Sequence, residues 1–229
     1  MIAILLAFGV AYGARQSSRI ARESATFDEP GNLLAGYSAL AHGDYRPAIE
    51  HPPLARIWAA LPLLAIPDVG WDPSGWASAA PGLVATAGPF DTGHAFLYQQ
   101  NDANTLLHPA RLMTVLLGIA LGGLVFAWAA AWLGFRAAVI ALALYLLEPN
   151  LTAHAGLVTT DLAVTLAMFA ALFFFWRITG RWTTGRVAGL ALSVAAAVLC
   201  KFSALLLGPI LLVLIALAVW RQRVLTPRA

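Results

Sequence analysis

The amino-acid sequence predicts an all-α polytopic membrane protein with about six transmembrane helices. Of its 229 residues, 60% are hydrophobic and only 11% are charged, whereas charged residues make up roughly a quarter of an average soluble domain. Several apolar stretches approach the roughly 20 residues that a helix needs to cross a bilayer. This number of charged residues is too small to cover the surface of a water-soluble fold of this size. We therefore expect the lipid bilayer to surround much of the chain.

The first predicted transmembrane helix covers residues 1–14 and ends at Arg15. At 1.5 Å per residue it spans only about 21 Å, less than the roughly 30 Å of the hydrocarbon core. It lacks the basic leading region and the small-residue cleavage site of a signal peptide. We therefore expect a membrane helix whose beginning is missing.

Residues 15–108 are predicted to form a long extracytoplasmic first loop that contains interfacial helices. The segment holds nine of the thirteen prolines, and prolines at this density interrupt helices. Trp71 and Trp76 favour the membrane interface. The apolar segment 54–66 is too short to span, which indicates a re-entrant or interfacial helix.

Residues 109–220 are predicted to form a five-helix transmembrane bundle, with residues 221–229 as a cytoplasmic tail. Only Lys201 and its neighbours separate the last two helices. One continuous helix would measure about 51 Å and exceed a single crossing, so we predict a tight hairpin at Lys201. The five predicted helices are 109–133, 137–149, 160–176, 186–200 and 202–220.

The arginines predict the orientation of these helices. If the long loop is extracytoplasmic, seven arginines fall on the cytoplasmic side, as the positive-inside rule requires. These seven are Arg136, Arg177, Arg181, Arg186, Arg221, Arg223 and Arg228. Arg15, Arg19 and Arg22 disagree with this orientation, because they follow the first helix on the outer side. The rule is weaker for long loops, so we keep the assignment.

With this orientation, most ionisable residues near the helices lie at the outer membrane boundary. Ionisable groups at membrane depth are energetically unfavourable and usually line a cavity or pair with one another. The convergence therefore indicates a functional site. The residues are Asp28, Glu29, Glu50, His51, Arg111, Glu148, His154, Asp161 and Lys201.

Two carboxylates lie side by side in the run Thr26-Phe27-Asp28-Glu29-Pro30. A carboxylate at a water-accessible, partly apolar edge can accept the proton of an attacking hydroxyl. We therefore predict that Asp28 is a general base and that Glu29 orients a partner. The simpler alternative is that the acidic pair caps a helix.

A histidine and three cations complete the predicted outer site. The diproline after His51 fixes the direction of its imidazole, and Arg56, Arg111 and Lys201 are candidates for binding phosphate. The alternatives are that the histidine is a capping residue and that the cations extend to the interface.

His154 and Asp161 are further candidates for substrate binding. Asp161 also suits the first turn of a helix, where a negative charge is favoured. Glu148 and His154 lack the spacing of a metal site, so we predict no metal ligands and no required cofactor, with a divalent metal left open. The mild, scattered charge of +3 does not indicate nucleic-acid binding.

Together these residues resemble the protein O-mannosyltransferase family, whose donor is dolichyl phosphate mannose, and its bacterial relatives. That family has an Asp-Glu pair in the first outer loop and, about twenty residues later, His-Pro-Pro-Leu-Ala-Lys or a variant. Here Asp28-Glu29 and the run His51 to Arg56 match, with arginine in place of lysine. Arg111, Thr160-Asp161 and the segment around Lys201 are also similar, in the same order.

The resemblance implies an inverting membrane glycosyltransferase whose active site faces the extracytoplasmic side. The expected partners are a polyprenyl phosphate-linked sugar donor, membrane lipid and a protein, lipid or glycan acceptor. The alanine-rich helices and the arginine in place of lysine indicate a bacterium with a high-GC genome, so we expect a bacterial inner membrane and an undecaprenyl carrier. Two alternatives are a transporter or lipid-binding protein without chemistry, and an inactive fragment of such an enzyme.

Overall fold

The computed structural model describes residues 1–47, 50–76 and 89–225. Within these ranges all regular elements are helical, which confirms the predicted all-α class there. Short 3-10 helices cover Leu61–Ala65, Pro73–Gly75 and Phe202–Leu206. The α-helices are α1 (Ile2–Ile20), α2 (Glu29–His42), α3 (Leu54–Ala60), α4 (Pro89–Tyr98), α5 (Ala103–Leu133), α6 (Phe135–Leu147), α7 (Pro149–His154), α8 (Asp161–Gly180), α9 (Thr184–Cys200) and α10 (Leu207–Leu225).

Three of the described helical segments are long and apolar enough to cross a membrane: Ala103–Leu133, Asp161–Gly180 and Phe202–Arg221. Three further apolar helices are shorter, namely Leu54–Ala65, Phe135–Leu147 and Thr184–Cys200. The 13 residues of α6 measure about 20 Å, less than the hydrocarbon thickness. The structure therefore supports a membrane protein but does not confirm six spans.

Two helices extend further into the predicted first loop than the sequence indicates. α1 continues from the predicted end at residue 14 to Ile20, and α5 begins at Ala103 instead of residue 109. The start of α5 is set by Asp102, whose carboxylate accepts a hydrogen bond from the Thr105 amide at 2.8 Å. Pro109 lies within the second turn of α5, so it removes one backbone hydrogen bond of that helix.

The arginines of α1 that oppose the positive-inside rule have local partners. Arg15 Nη1 donates to the carbonyl of Leu146 at 2.9 Å, and Arg19 Nη1 donates to the carbonyl of Thr152 at 2.8 Å. Leu146 lies in the last turn of α6, where free carbonyls favour a cation. These arginines therefore join α1 to α6 and α7, which gives a structural reason for their position.

Apolar packing divides the described residues into three clusters. One joins α2, α3, α4 and the start of α5, and includes Leu33, Leu63 and Phe96. A second packs α1, α5, α6 and α8 around Tyr12 and Tyr145. The third joins α3, α8 and α9 to the start of α10. α5 and α8 each contribute to two clusters, so they form the frame that supports the outer segments.

Two glycines allow neighbouring backbones to approach α2 closely. A Cβ atom at Gly36 would overlap the carbonyl oxygen of Arg56, and one at Gly93 would overlap the backbone of Pro30 and Gly31. α3 and α4 therefore contact α2 directly through its backbone. This contact holds the amino terminus of α2, where Asp28 and Glu29 lie.

The chain is interrupted at Lys201, as the sequence predicts. α9 ends at Cys200, and Lys201 is extended with φ −158° and ψ 138°. A 3-10 helix follows before α10 begins. The interruption places the lysine side chain at the end of the hairpin that α8 and α9 form.

Candidate functional site

A polar cavity of about 290 Å³ lies where α2, α8 and the end of α9 meet the segment before α3. It contains five of the predicted site residues: Asp28, His51, Arg56, Asp161 and Lys201. Glu29, Arg111 and His154 are not among its lining residues. The full lining is Asp28, Gly31, Asn32, Glu50, His51, Arg56, Thr159, Thr160, Asp161 and Lys201.

Asp28 stands at the N-cap position of α2, but its side chain makes no capping hydrogen bond. The residue is exposed, and no hydrogen bond or ion pair of its carboxylate occurs within the part of the chain that the structure describes. The alternative that Asp28 serves as a helix cap is therefore not supported. Its carboxylate is accessible from the cavity, as a general base requires.

Glu29 has a different environment from its neighbour, since it is fully buried against Arg111. Arg111 Nη2 lies 2.6 Å from Glu29 Oε2, and both side chains are completely inaccessible. Arg111 Nε donates to Glu29 Oε1 at 2.8 Å. The amide groups of Thr26 and Val158 also donate to the Glu29 carboxylate, at 2.8 and 2.9 Å. The predicted acidic pair thus separates into one accessible and one buried carboxylate.

The hydrogen bonds to Glu29 hold it in the ionised form. Burial alone would raise the pKa of this carboxyl, but the hydrogen bonds from Arg111, Thr26 and Val158 and the arginine charge outweigh burial. The pKa of Glu29 is therefore below its ordinary value. A carboxylate that accepts this many hydrogen bonds is a weak base, so Glu29 is poorly suited to proton transfer.

Arg111 joins α5 to the segment before α2 and to Glu29 at the start of α2. Besides Glu29, it donates to the carbonyl of Glu23 through Nη1 at 2.7 Å and to that of Ser24 through Nη2 at 2.8 Å. Each guanidinium nitrogen thus already donates to the protein. The structure places Arg111 against the segment before Asp28 instead of on the cavity, so it does not support the predicted contact of Arg111 with phosphate.

Lys201 and Asp161 form an ion pair at the cavity, with Nζ 2.6 Å from Oδ1. The side chains keep 24% and 44% of their accessible surface, so a ligand in the cavity can reach both. Asp161 is the first residue of α8 and Lys201 follows the last residue of α9. The hairpin of α8 and α9 therefore brings together two residues that are 40 positions apart.

Arg56 organises the segment that precedes α3. Its Nε donates to Asn32 Oδ1 at 2.9 Å, and its Nη1 donates to the carbonyl of His51 at 3.1 Å. Nη2 lies 3.3 Å from Glu50 Oε2. Only 5% of Arg56 is exposed. We therefore assign Arg56 mainly the role of holding Asn32 and the backbone of His51 in place beside the cavity.

The surroundings of His51 favour the neutral form of its imidazole. Burial lowers the pKa of its imidazole, and the nearby charges of Lys201 and Arg56 lower it further. Its Nδ1 and the hydroxyl of Thr159 are buried without a hydrogen-bond partner among the described residues. Unpaired buried polar atoms are unfavourable, so two of them at one polar cavity indicate a place for a polar ligand.

The formal charges at the cavity nearly balance. Three carboxylates, Asp28, Glu50 and Asp161, face two cations, Arg56 and Lys201. Across residues 1–47, 50–76 and 89–225, no three His, Cys, Asp or Glu side chains are grouped to hold a metal ion.

The remaining candidates, Glu148 and His154, lie at the two ends of α7. Glu148 precedes α7, and its carboxylate accepts from the Leu151 amide at 2.6 Å, which makes it a helix cap. His154 ends α7 and is half-buried, and its Nδ1 lacks a partner in the described part of the chain. The structure therefore gives His154 no contact with the cavity, and its predicted role in substrate binding stays a prediction.

Sequence reasoning missed Asn32 and Thr159 as site residues and left Glu50 without a role. Asn32 donates to the carbonyl of Val158 at 3.0 Å and accepts from Arg56, so it connects two sides of the cavity. The signal was available, because Asn32 follows Asp28 by four residues and therefore lies on the same helical face.

Residues 103–229 match the family model described as dolichyl-phosphate-mannose-protein mannosyltransferase. The match covers more than half of the chain and includes Arg111, Asp161 and Lys201. Asp28 and His51 precede the matched segment. No curated protein and no solved structure matches the chain.

Proposed function

Because the chain belongs to the dolichyl-phosphate-mannose-protein mannosyltransferase family, we propose that its polar cavity transfers a sugar from a polyprenyl phosphate to an acceptor hydroxyl. The family makes it a membrane glycosyltransferase of the mannosyltransferase type. The observation that carries the proposal is the accessible Asp28 carboxylate, which shares the cavity with Lys201 and the neutral His51.

The proposed reaction is a single displacement with inversion at the anomeric carbon. Asp28 accepts the proton of the acceptor hydroxyl while the acceptor oxygen forms its bond to the anomeric carbon. The bond between that carbon and the phosphate oxygen breaks, and the polyprenyl phosphate leaves with the bonding electrons. Lys201 stabilises the negative charge that grows on the leaving phosphate.

The ion pair between Lys201 and Asp161 supports this role for the lysine. Asp161 holds the ammonium group at the cavity, so the cation is in position before the donor binds. When the donor phosphate enters, it competes with Asp161 for the same ammonium group. His51 and Thr159 supply polar atoms for the sugar or acceptor, and Arg56 fixes the backbone of His51.

An apolar groove beside the cavity offers space for the isoprenoid chain of the donor. It measures about 350 Å³ and is formed by α3, α5, α8 and α9. Its lining adjoins that of the cavity in the sequence at two points, since Ala55 precedes Arg56 and Cys200 precedes Lys201. A polar head site next to an apolar groove suits a phosphorylated lipid. The groove residues are Leu54, Ala55, Trp58, Leu117, Ala163, Leu166, Ala167, Ala170, Leu192, Ser193, Ala196 and Cys200.

The proposal is tested by reconstituting the protein in liposomes with a polyprenyl phosphate-linked mannose labelled in the sugar and a hydroxyl acceptor. We expect acceptor-dependent release of free polyprenyl phosphate together with labelled product. Donor binding without release would instead indicate a lipid-binding or transporter-like protein and would refute the enzymatic proposal.

A further inference from the structure

A second pocket, which we call the arginine pocket, lies at the opposite end of the bundle. It has a volume of about 380 Å³ and is formed by α5, α8 and the start of α9. α8, which has 20 residues, separates it from the polar cavity by roughly 30 Å. Its lining residues are Ala131, Trp176, Arg177, Thr179, Gly180, Arg181 and Arg186.

The arginine pocket concentrates positive charge without any carboxylate nearby in the sequence. No Asp or Glu follows Asp161, and none occurs between Asp102 and Glu148. The pocket therefore differs from the polar cavity, whose cations Arg56 and Lys201 each lie beside a carboxylate. Within the described residues, none of the three pocket arginines forms a salt bridge.

The three arginines have different tasks. Arg186 Nη1 donates to the carbonyls of Arg177 and Arg181 at 2.6 and 2.7 Å. It therefore supplies hydrogen-bond donors to free carbonyl groups at the end of α8. The Arg177 guanidinium lies 5.8 Å from the centre of the Phe173 ring. In the described part of the chain, the side chains of Arg177 and Arg181 donate no hydrogen bonds, which leaves both available to an anion.

Tryptophans indicate the membrane depth of the arginine pocket. Trp176 lines it, and Trp132 and Trp182 are 68% and 75% exposed at the same end of the bundle. Tryptophan is enriched at the level of the lipid head groups. At this depth the pocket is closer to the lipid head groups than to the aqueous phase. A lipid phosphate is therefore a better candidate for its ligand than a soluble anion.

We propose that the arginine pocket binds the phosphate of an anionic membrane phospholipid. Arg177 and Arg181 donate charge-assisted hydrogen bonds to the phosphate oxygens, and Arg186 keeps the end of α8 in place. Basic pockets between transmembrane helices bind anionic head groups in this way. The proposal stands on the pocket alone and does not depend on the transferase reaction.

The test is native mass spectrometry of the purified full chain with dioleoylphosphatidylglycerol or dioleoylphosphatidylcholine. We expect the wild type to retain phosphatidylglycerol preferentially, and the double variant Arg177→Gln with Arg181→Gln to bind it about tenfold or more weakly. The matched control is Arg136→Gln with Arg221→Gln, which removes the same charge from two arginines outside the pocket. The control should bind phosphatidylglycerol like the wild type.

Equal loss of binding in both double variants would overturn the proposal, because general charge would then explain the retention. Displacement of the lipid by inorganic phosphate would also overturn it, since the site would then select a soluble anion. Arg181→Lys provides a variant that keeps the charge and the predicted topology. We expect it to bind phosphatidylglycerol more weakly than the wild type, because lysine lacks the two-pronged contact, and unchanged binding would contradict the assigned contact.

Discussion

Asp28 and Glu29 are neighbours in the sequence, yet the structure gives them opposite environments. Asp28 is exposed at the polar cavity without a capping bond, whereas Glu29 is fully buried and paired with Arg111. The difference arises because α2 begins at this point, so successive side chains point in different directions. One carboxylate is free to react, and the other anchors the segment that presents it.

The cavity and the buried pair should therefore respond differently to mutation. Changes at the cavity should reduce transfer and leave the free energy of unfolding nearly unchanged. Changes at the buried pair should lower the free energy of unfolding first, with any loss of transfer following from the displaced Asp28.

The largest expected effect is that of Asp28→Asn on the turnover number. The amide cannot accept the acceptor proton, and loss of a general base typically reduces the rate about 10²–10⁴-fold. Turnover is measured as release of polyprenyl phosphate from the reconstituted protein, and unfolding is followed in parallel.

Glu50→Gln is the matched control for Asp28→Asn, because it removes a different carboxylate from the same cavity. Glu50 is paired with Arg56 at 3.3 Å and is assigned no proton transfer, so its loss should reduce turnover far less. Turnover of Asp28→Asn close to that of the wild type would remove Asp28 as the base.

Arg111→Met should produce the largest loss of stability. It leaves the Glu29 carboxylate buried without its partner, and breaking a buried ion pair costs about 3–5 kcal/mol. The free energy of unfolding is measured in mixed detergent micelles, with Arg136→Met as the control on an exposed arginine. A change below about 1 kcal/mol would contradict the anchoring role and match an exposed ion pair instead.

Much of the fold follows from the sequence, because long apolar runs require helices in a bilayer. The helices predicted at 160–176 and 186–200 correspond to α8 and α9, and the break at Lys201 is present. The predicted bounds of the two helices next to the first loop, α1 and α5, were less accurate. The first helix was predicted to end at Arg15 because of its charge, but α1 continues to Ile20, and Arg15 and Arg19 donate hydrogen bonds to α6 and α7.

The candidate site was predictable as a set of residues but not as a set of roles. Asp28, His51, Asp161 and Lys201 line one cavity, as expected if they lie at one membrane boundary. The partner of Arg111 was not predictable, because it lies 82 residues away in the sequence. An arginine in an apolar helix is equally consistent with a phosphate ligand and with a buried ion pair until the contact is known.

A smaller effect is expected for Lys201→Met, which should lower turnover and raise the Michaelis constant for the donor, because the ammonium group contacts the donor phosphate and stabilises the charge that grows on it. Hydrogen bonds to charged groups contribute about 1.5–3 kcal/mol, so the constant should rise by about tenfold or more. Asp161→Asn removes the partner of Lys201 without removing the ammonium group, so the constant should stay equal or fall. A similar rise in both variants would show that the pair is structural and does not bind the donor phosphate.

The smallest effect concerns the pH dependence of stability, which tests the ionised state of the buried Glu29. The pKa of Glu29 is lower in the folded protein than its ordinary value, so the unfolded state binds the proton more readily. Glu29 therefore contributes stability above its ordinary pKa of about 4.3, and this contribution is lost as the pH falls through the folded-state pKa. Unfolding temperatures measured from neutral to acid pH should fall less steeply for Glu29→Gln than for the wild type, because glutamine has no proton to gain. An equally steep fall in both proteins would contradict the assignment of Glu29 as a buried, ionised carboxylate.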